Sequence, residues 1–390
     1  MSRVLFAWEL GGGYGHADRM AEVARRLAAM GHAIAVVSQS LPLMRRVFAD
    51  ITTEFDEAPL APAGAEQRFA DSYADVLLRC GFDDPAALGA RLDAWGRLLD
   101  RRAPDLVITD FAPTAMLAAR LAGVPVAALE NGYSLPPPGD PLPFTRAWQT
   151  ADPARLRSLD EAALATIDAC MAARNRPGLG RLAGLFDVAA QFLCTVPELD
   201  HYQDRGEAAY FGPIFAPGKG EAPDWPDRSG PRVFAYVDAG NPATAHLLEA
   251  LEQTGWPTVM HRRGGGADGG GGGSVRIHAE PLRFDLVLAQ CDLVVTQGLA
   301  TVSGALLAGR PVVQAPAHLE QMMILHRVVH QGLGVGLLRG ADLHAAKAAL
   351  DMVWPDGGFA DRATAFARRY HGLSSDLAAD AIAAECAELL

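Results

Sequence analysis

The sequence predicts an α/β protein made of two doubly wound, Rossmann-like parallel-sheet domains. Three observations predict it. Short apolar runs alternate with helical patterns in both halves, as parallel strands joined by crossover helices do. The 390 residues exceed one ordinary core and suit two domains of roughly 150–200 residues each. Residues 210–230, rich in Pro, Gly and charge, separate the halves. The expected domains are therefore 1–209 and 231–390 with the linker 210–230 between them, the last helix being free to pack back on the first domain.

The first strand is expected at residues 4–7, followed at once by the turn Glu9-Leu10-Gly11-Gly12-Gly13-Tyr14-Gly15-His16. The next helix shows apolar spacing at Met20, Val23, Leu27 and Met30, with Gly31 as its C-terminal stop. Strands follow at 33–37, at 106–109 ending in Asp110, and at 124–129, with a helix through Met116, Leu117 and Leu121. The run Leu135-Pro136-Pro137-Pro138-Gly139 opens an irregular loop. Residues 142–185 read as helical, and a strand near 192–195 closes this half. In the second half strands are expected near 233–237, 258–261, 275–278, 293–295, 312–314 and 334–338. Residues 264–273 hold eight glycines in ten positions, most simply a surface loop.

Composition narrows the function classes. Half of the residues are hydrophobic, yet no apolar run approaches the roughly 20 residues of a membrane span. The formal net charge of −12 argues against a general nucleic-acid binder. Five scattered cysteines without a C-x-x-C pattern fit reduced thiols, and a strand begins at once with no signal-peptide pattern; a cytoplasmic setting is expected.

Two residues of the first half suit acid–base work. His16 follows the glycine turn (Gly12, Gly13 and Gly15 among its glycines), which lets a ligand approach the backbone closely. Asp110 ends a strand of the same sheet and so lies at the same edge. A carboxylate on one imidazole nitrogen orients the ring and stabilises the cation formed when the other nitrogen takes a proton. A dinucleotide fingerprint fails here: histidine stands where the third glycine belongs, and Ser38-Gln39-Ser40 ends the second strand where an acid is required.

The second half carries a donor-type site. The apolar run 293–295 leads through Thr296-Gln297-Gly298-Leu299-Ala300 into a helix with Thr301 and Ser303 in its first turn. Unpaired amides at such a helix start, here near Gly298 and Ala300, hold anions such as phosphate. The loop Pro316-x-x-x-Glu320-Gln321 one strand later offers a carboxylate and a carboxamide to sugar hydroxyls.

These motifs resemble the GT-B nucleotide-sugar glycosyltransferases, both the family-1 (UDP-glycosyltransferase-like) enzymes and the peptidoglycan N-acetylglucosamine transferase. The latter carries a T-V-S-E helix start, where this chain reads Thr301-Val302-Ser303-Gly304. The resemblance implies a GT-B fold with an acceptor-binding first domain and a donor-binding second domain. It implies His16 as general base with Asp110 as its partner. It further implies transfer of a sugar from a nucleoside diphosphate sugar, UDP by default, to an acceptor hydroxyl, with inversion. No metal and no cofactor are expected beyond that co-substrate, in keeping with the absence of any Asp-x-Asp.

The chain departs from the family in three places. Only Gly15-His16 survives of G-H-x-x-P, and Arg19 stands at the proline. Thr296-Gln297-Gly298 replaces H-x-G, and Gly304 replaces the carboxylate that holds the ribose hydroxyls. The spacing His326-x-x-x-His330 matches a zincin helix, but Arg327 replaces the required glutamate. Two rivals remain: a catalytically silent GT-B protein that binds a nucleotide sugar or glycan, motivated by Gly304, and a hydrolysing epimerase, which needs more carboxylates than the motifs supply.

Overall fold

The computed structural model describes residues 1–61, 70–215, 218, 220–264, 273–355 and 357–390. The glycine tract expected as a surface loop lies, apart from Gly264 and Gly273, outside the described residues. The chain divides into two compact units, Met1–Phe215 with Ser374–Leu390, and Ala216–Leu373.

In the first unit the strands are β1 (Arg3–Trp8), β2 (Ala33–Ser38), β3 (Thr53–Glu57), β4 (Leu106–Asp110), β5 (Val126–Glu130) and β6 (Ala190–Leu193). They form one sheet in the order β3-β2-β1-β4-β5-β6, and its paired strands run parallel. The helices are α1 (Tyr14–Ala29), α2 (Leu41–Val47), α3 (Tyr73–Leu77), α4 (Pro85–Arg102), α5 (Pro113–Ala122) and α6 (Pro153–Ala172). Strands β1, β4 and β5 read as apolar runs because both faces are covered, and Val4, Phe6, Ile108 and Leu129 are fully buried. The region read as helical over 142–185 is α6 plus a short 3-10 turn at Leu182–Phe186; between them the chain is irregular.

The second unit repeats the plan with β7 (Val233–Asp238), α7 (Ala243–Thr254), β8 (Thr258–Arg263), β9 (Val275–His278), α8 (Phe284–Gln290), β10 (Leu293–Thr296) and α9 (Leu299–Leu307). It continues through β11 (Val312–Gln314), α10 (Leu319–His330), β12 (Gly334–Gly336), α11 (Leu343–Val353) and α12 (Phe359–Arg369). Its sheet order, β12-β11-β10-β7-β8-β9, is that of the first unit. The last helix, α13 (Ser375–Glu388), packs against α1; Ile382 and Cys386 join the first unit's core, and Arg26 of α1 bonds Asp376 and Asp380.

In each sheet the strand order reverses between the first and fourth strands. Ligands of open α/β sheets bind beyond the strand C-termini at such a switch point. In the first unit the point lies between β1 and β4, whose ends carry the glycine turn and Asp110. In the second it lies between β7 and β10, ahead of α9. No helix among the described residues is long and apolar enough to cross a membrane.

Candidate active site

The glycine turn is built to present one imidazole. Leu10 donates its amide to the Phe111 carbonyl at 3.0 Å, and the Gln39 side-chain amide donates to the Gly11 carbonyl at 2.7 Å. Gly13, with φ +101, precedes α1; that backbone conformation favours glycine. Gly12 is exposed, and Gly15 falls within the first turn of α1. His16, also in that turn, stacks on Trp8 with ring centroids 5.3 Å apart.

The His16 Nδ1 lies 2.7 Å from Asp110 Oδ1, so the two sequence-predicted residues meet at hydrogen-bond distance. Burial alone pushes the Asp110 carboxyl up, but the Arg19 guanidinium and then His16 outweigh it and hold it below the ordinary carboxylate value. An ionised Asp110 only accepts, so in the neutral tautomer that suits it Nδ1 is the donor and Nε2 is left with the lone pair. A Cβ at Gly11 would stand 2.9 Å from that Nε2. Gly11 is exposed, so the nitrogen faces a gap left by the missing side chain. That is the geometry a general base requires.

Three further residues shape this site. Arg19, one turn along α1, puts Nη2 2.5 Å and Nε 3.1 Å from Asp110 Oδ2. Glu130 ends β5 at the same sheet edge, accepts from the Phe111 amide at 2.7 Å and takes a hydrogen bond from the Ser134 hydroxyl. Burial and then the charge of Asp110 push its carboxyl up to about 8. Phe111 holds a left-handed φ of +48, a strained conformation for such a residue. It directs its amide to Glu130 and leaves its ring 6.5 Å from His16. Glu130 was findable by the strand-end rule that exposes Asp110. Arg19 was findable only from its three-residue spacing to His16.

In the second unit, Gly298 caps α9 with Ala300 exposed beside it. The amides of Leu299, Ala300 and Thr301 are the first-turn donors that a helix leaves unpaired. Thr301 is buried, and the buried Ser303 hydroxyl has no hydrogen-bond partner among the described residues. Gln297 turns inward: its Oε1 accepts the Asp238 amide at 2.8 Å and its carbonyl accepts from Gln314 at 2.8 Å. Glu320 and Gln321 were expected on a loop; they instead open α10 behind its cap His318. The reason is visible at Gln321, whose Oε1 accepts the Ala317 amide at 2.7 Å and thereby organises the helix start. That bond points the amide donors of Gln321 elsewhere, and its Nε2 would lie 3.9 Å from a Cβ at Gly298. The structure thus brings Gln321 beside the α9 cap.

Gly304 is a packing residue. A Cβ there would stand 2.4 Å from two atoms of the Phe284 ring, so α8 occupies the volume where the family's ribose-binding carboxylate would begin.

No family model matches the chain. It is 30% identical over 273 residues to the PGL/p-HBAD biosynthesis rhamnosyltransferase of Mycobacterium bovis (strain BCG / Pasteur 1173P2), a match covering 65% of this chain and 60% of that protein. The chain therefore spans about 60% of the length of the curated relatives it matches. Among solved structures it is similar to the spinosyn rhamnosyltransferase SpnG complexed with thymidine diphosphate. There the TM-score is 0.70 at 18% identity, over 96% of this chain and 98% of that one. It is also similar to the Streptomyces sp. SF2575 glycosyltransferase SsfS6 complexed with thymidine diphosphate, with TM-score 0.67 at 18% identity over 100% of both chains. The fold is that of the GT-B glycosyltransferases, and the resemblance read from the motifs is borne out.

Proposed function

We propose that this protein is an inverting glycosyltransferase that moves a sugar from a nucleoside diphosphate sugar to an acceptor hydroxyl. The observation that carries the reading is the His16–Asp110 pair at 2.7 Å with Nε2 turned toward Gly11. In the proposed step the acceptor O–H gives its proton to His16 Nε2 as its oxygen bonds the anomeric carbon. The bond from that carbon to the diphosphate oxygen breaks, and the nucleoside diphosphate leaves with the electron pair. Unpaired amides at the start of α9 are the proposed holders of the donor's diphosphate, and no metal ion is part of the proposal. Gln321 and Glu320 are the proposed readers of the donor-sugar hydroxyls.

For the donor we take thymidine diphosphate in preference to the default of UDP, and a rhamnose-type sugar. A rhamnosyltransferase is among the curated relatives, and thymidine diphosphate occupies the similar SpnG and SsfS6 structures. Phe284 against Gly304 supports the same choice, because no carboxylate stands there to reward a ribose 2′-hydroxyl with the roughly 1.5–3 kcal/mol of a charge-assisted hydrogen bond. The cytoplasm is the proposed setting, since five scattered cysteines without a C-x-x-C pattern fit reduced thiols.

The test is calorimetric titration with UDP, 2′-deoxy-UDP and thymidine diphosphate, followed by a transfer assay with the matching sugar nucleotides and mixed acceptors. The reading expects transfer, and UDP affinity within tenfold of its 2′-deoxy analogue. UDP binding more than tenfold tighter than 2′-deoxy-UDP would overturn the donor assignment. Binding without turnover on any acceptor would instead favour a catalytically silent nucleotide-sugar-binding protein, the second reading that Gly304 motivates.

A further inference from the structure

Asp110 does not serve His16 alone. His16 and Arg19 lie three residues apart on α1, so both project from one face of its first turns onto the same carboxylate. Oδ1 faces Nδ1 of the imidazole at 2.7 Å, and Oδ2 faces the guanidinium at 2.5 and 3.1 Å. Both partners of this ion pair are buried, Asp110 completely.

The other titratable groups packed around it come from β5 and from the end of β6. Burial and the charge of Asp110 push Glu130 up to about 8, and burial pushes the Cys194 thiol up to about 12. Near pH 7 both are therefore chiefly neutral, which leaves Arg19 and Asp110 as the charged pair at this carboxylate among the described residues. They nearly cancel. A carboxylate paired with a fixed cation still accepts a hydrogen bond, but it attracts a second cation much less than a lone carboxylate does.

We infer that Arg19 is a positioning residue that divides the Asp110 carboxylate, so that Asp110 orients the His16 ring without drawing a proton onto its Nε2. The inference rests on His16 acting as the base. A base must be unprotonated before it works, and a lone buried carboxylate would hold the ring in its cationic, idle form over more of the neutral pH range. Arginine suits the task because its fork reaches one oxygen twice and its charge cannot be titrated away.

The experiment follows proton uptake by the His16 ring by NMR across pH in the full chain, comparing wild type with R19Q, R19M and R19K; the H16A spectrum assigns the signal. No substrate is needed. Glutamine keeps a donor toward Asp110 but removes the charge, so R19Q remains informative where the apolar R19M is too unstable. In R19Q and R19M the midpoint of proton uptake should rise by about one pH unit, a tenfold tighter hold on the proton. In R19K it should stay within about 0.3 of wild type, and the acid limb of kcat/KM should move with the midpoint. A midpoint in R19Q at or below that of wild type overturns the inference. A purely structural Arg19 would lower thermal stability in all three variants and leave the midpoint in place. Full turnover by H16A would refute the base reading while leaving the midpoint result to stand or fall separately.

Discussion

Gly11 leaves open the one nitrogen of His16 that Asp110 does not hold: a Cβ at position 11 would lie 2.9 Å from Nε2. Its φ of +78 adds a second reason for glycine, since a side chain in that region is strained by about 1–2 kcal/mol. The G11A variant should therefore lose about 10²-fold or more in kcat/KM, since its methyl covers the proposed base and removes the bulk of a 10²–10⁴-fold contribution. Nucleotide affinity, measured by calorimetry, should be unchanged. Wild-type turnover by G11A would show that the acceptor approaches His16 from another side.

A second close approach governs the second unit. Alanine at position 304 would gain about 1 kcal/mol from helix propensity, but its methyl would meet the Phe284 ring at 2.4 Å. Overpacking of this kind typically costs about 1–3 kcal/mol. G304A should thus lower stability to urea, and G304E should lower it further without raising UDP affinity. Pairing G304A with F284L should recover part of the loss, because the two positions share one volume. Equal stability of G304A and wild type would mean that α8 gives way freely.

The Glu130 carboxyl, pushed up to about 8 by burial and by Asp110, ties stability to pH in a defined direction. In the unfolded chain a glutamate ionises above about pH 4.3, whereas the folded protein keeps this proton until about 8. The folded state therefore binds the extra proton, and this contribution is fully present below about pH 4.3 and lost as pH rises toward 8. The slope approaches about 1.4 kcal/mol per pH unit for one proton. Asp110, held below its ordinary value, acts in the other window: its contribution is present above about pH 4 and lost as pH falls. Urea unfolding between pH 5 and 8 should show wild type losing more stability than E130Q. Parallel curves for the two proteins would contradict the buried protonated carboxyl.

Much of this architecture could be read in the chain because buried parallel strands announce themselves as apolar runs. The strand ending in Asp110 and the one entering Gly298 were placed within a residue of their observed ends. The strand β3, Thr53–Glu57, escaped notice: it is an edge strand with charged alternate positions, so its burial pattern is weak. The pairing of His16 with Asp110 followed from topology, since both sit at strand C-termini of one sheet. The third partner did not, because Arg19 matters through a carboxylate 91 positions away and stands where the resembling family carries proline. Gly304 was likewise read as a missing carboxylate. Its packing role depends on Phe284, twenty positions earlier and on another helix, and no local pattern encodes that contact. Glu320 and Gln321 were misplaced onto a loop because the cap that starts α10 uses the Gln321 side chain itself rather than a Ser, Thr or Asp.

The kinetics of H16A as a function of pH bear most directly on the account. Removing the proposed base should lower kcat by about 10²–10⁴-fold, with little change in melting temperature or nucleotide affinity. D110N should keep the fold and lose part of the same effect. The double variant should be little worse than H16A, because residues that act as a unit are not additive. Wild-type turnover should fall on the acid side as the imidazole takes up its proton, and that limb should vanish in H16A. Full activity of H16A on a well-bound acceptor hydroxyl, with the acid limb intact, would remove His16 from the chemistry and contradict the proposed mechanism.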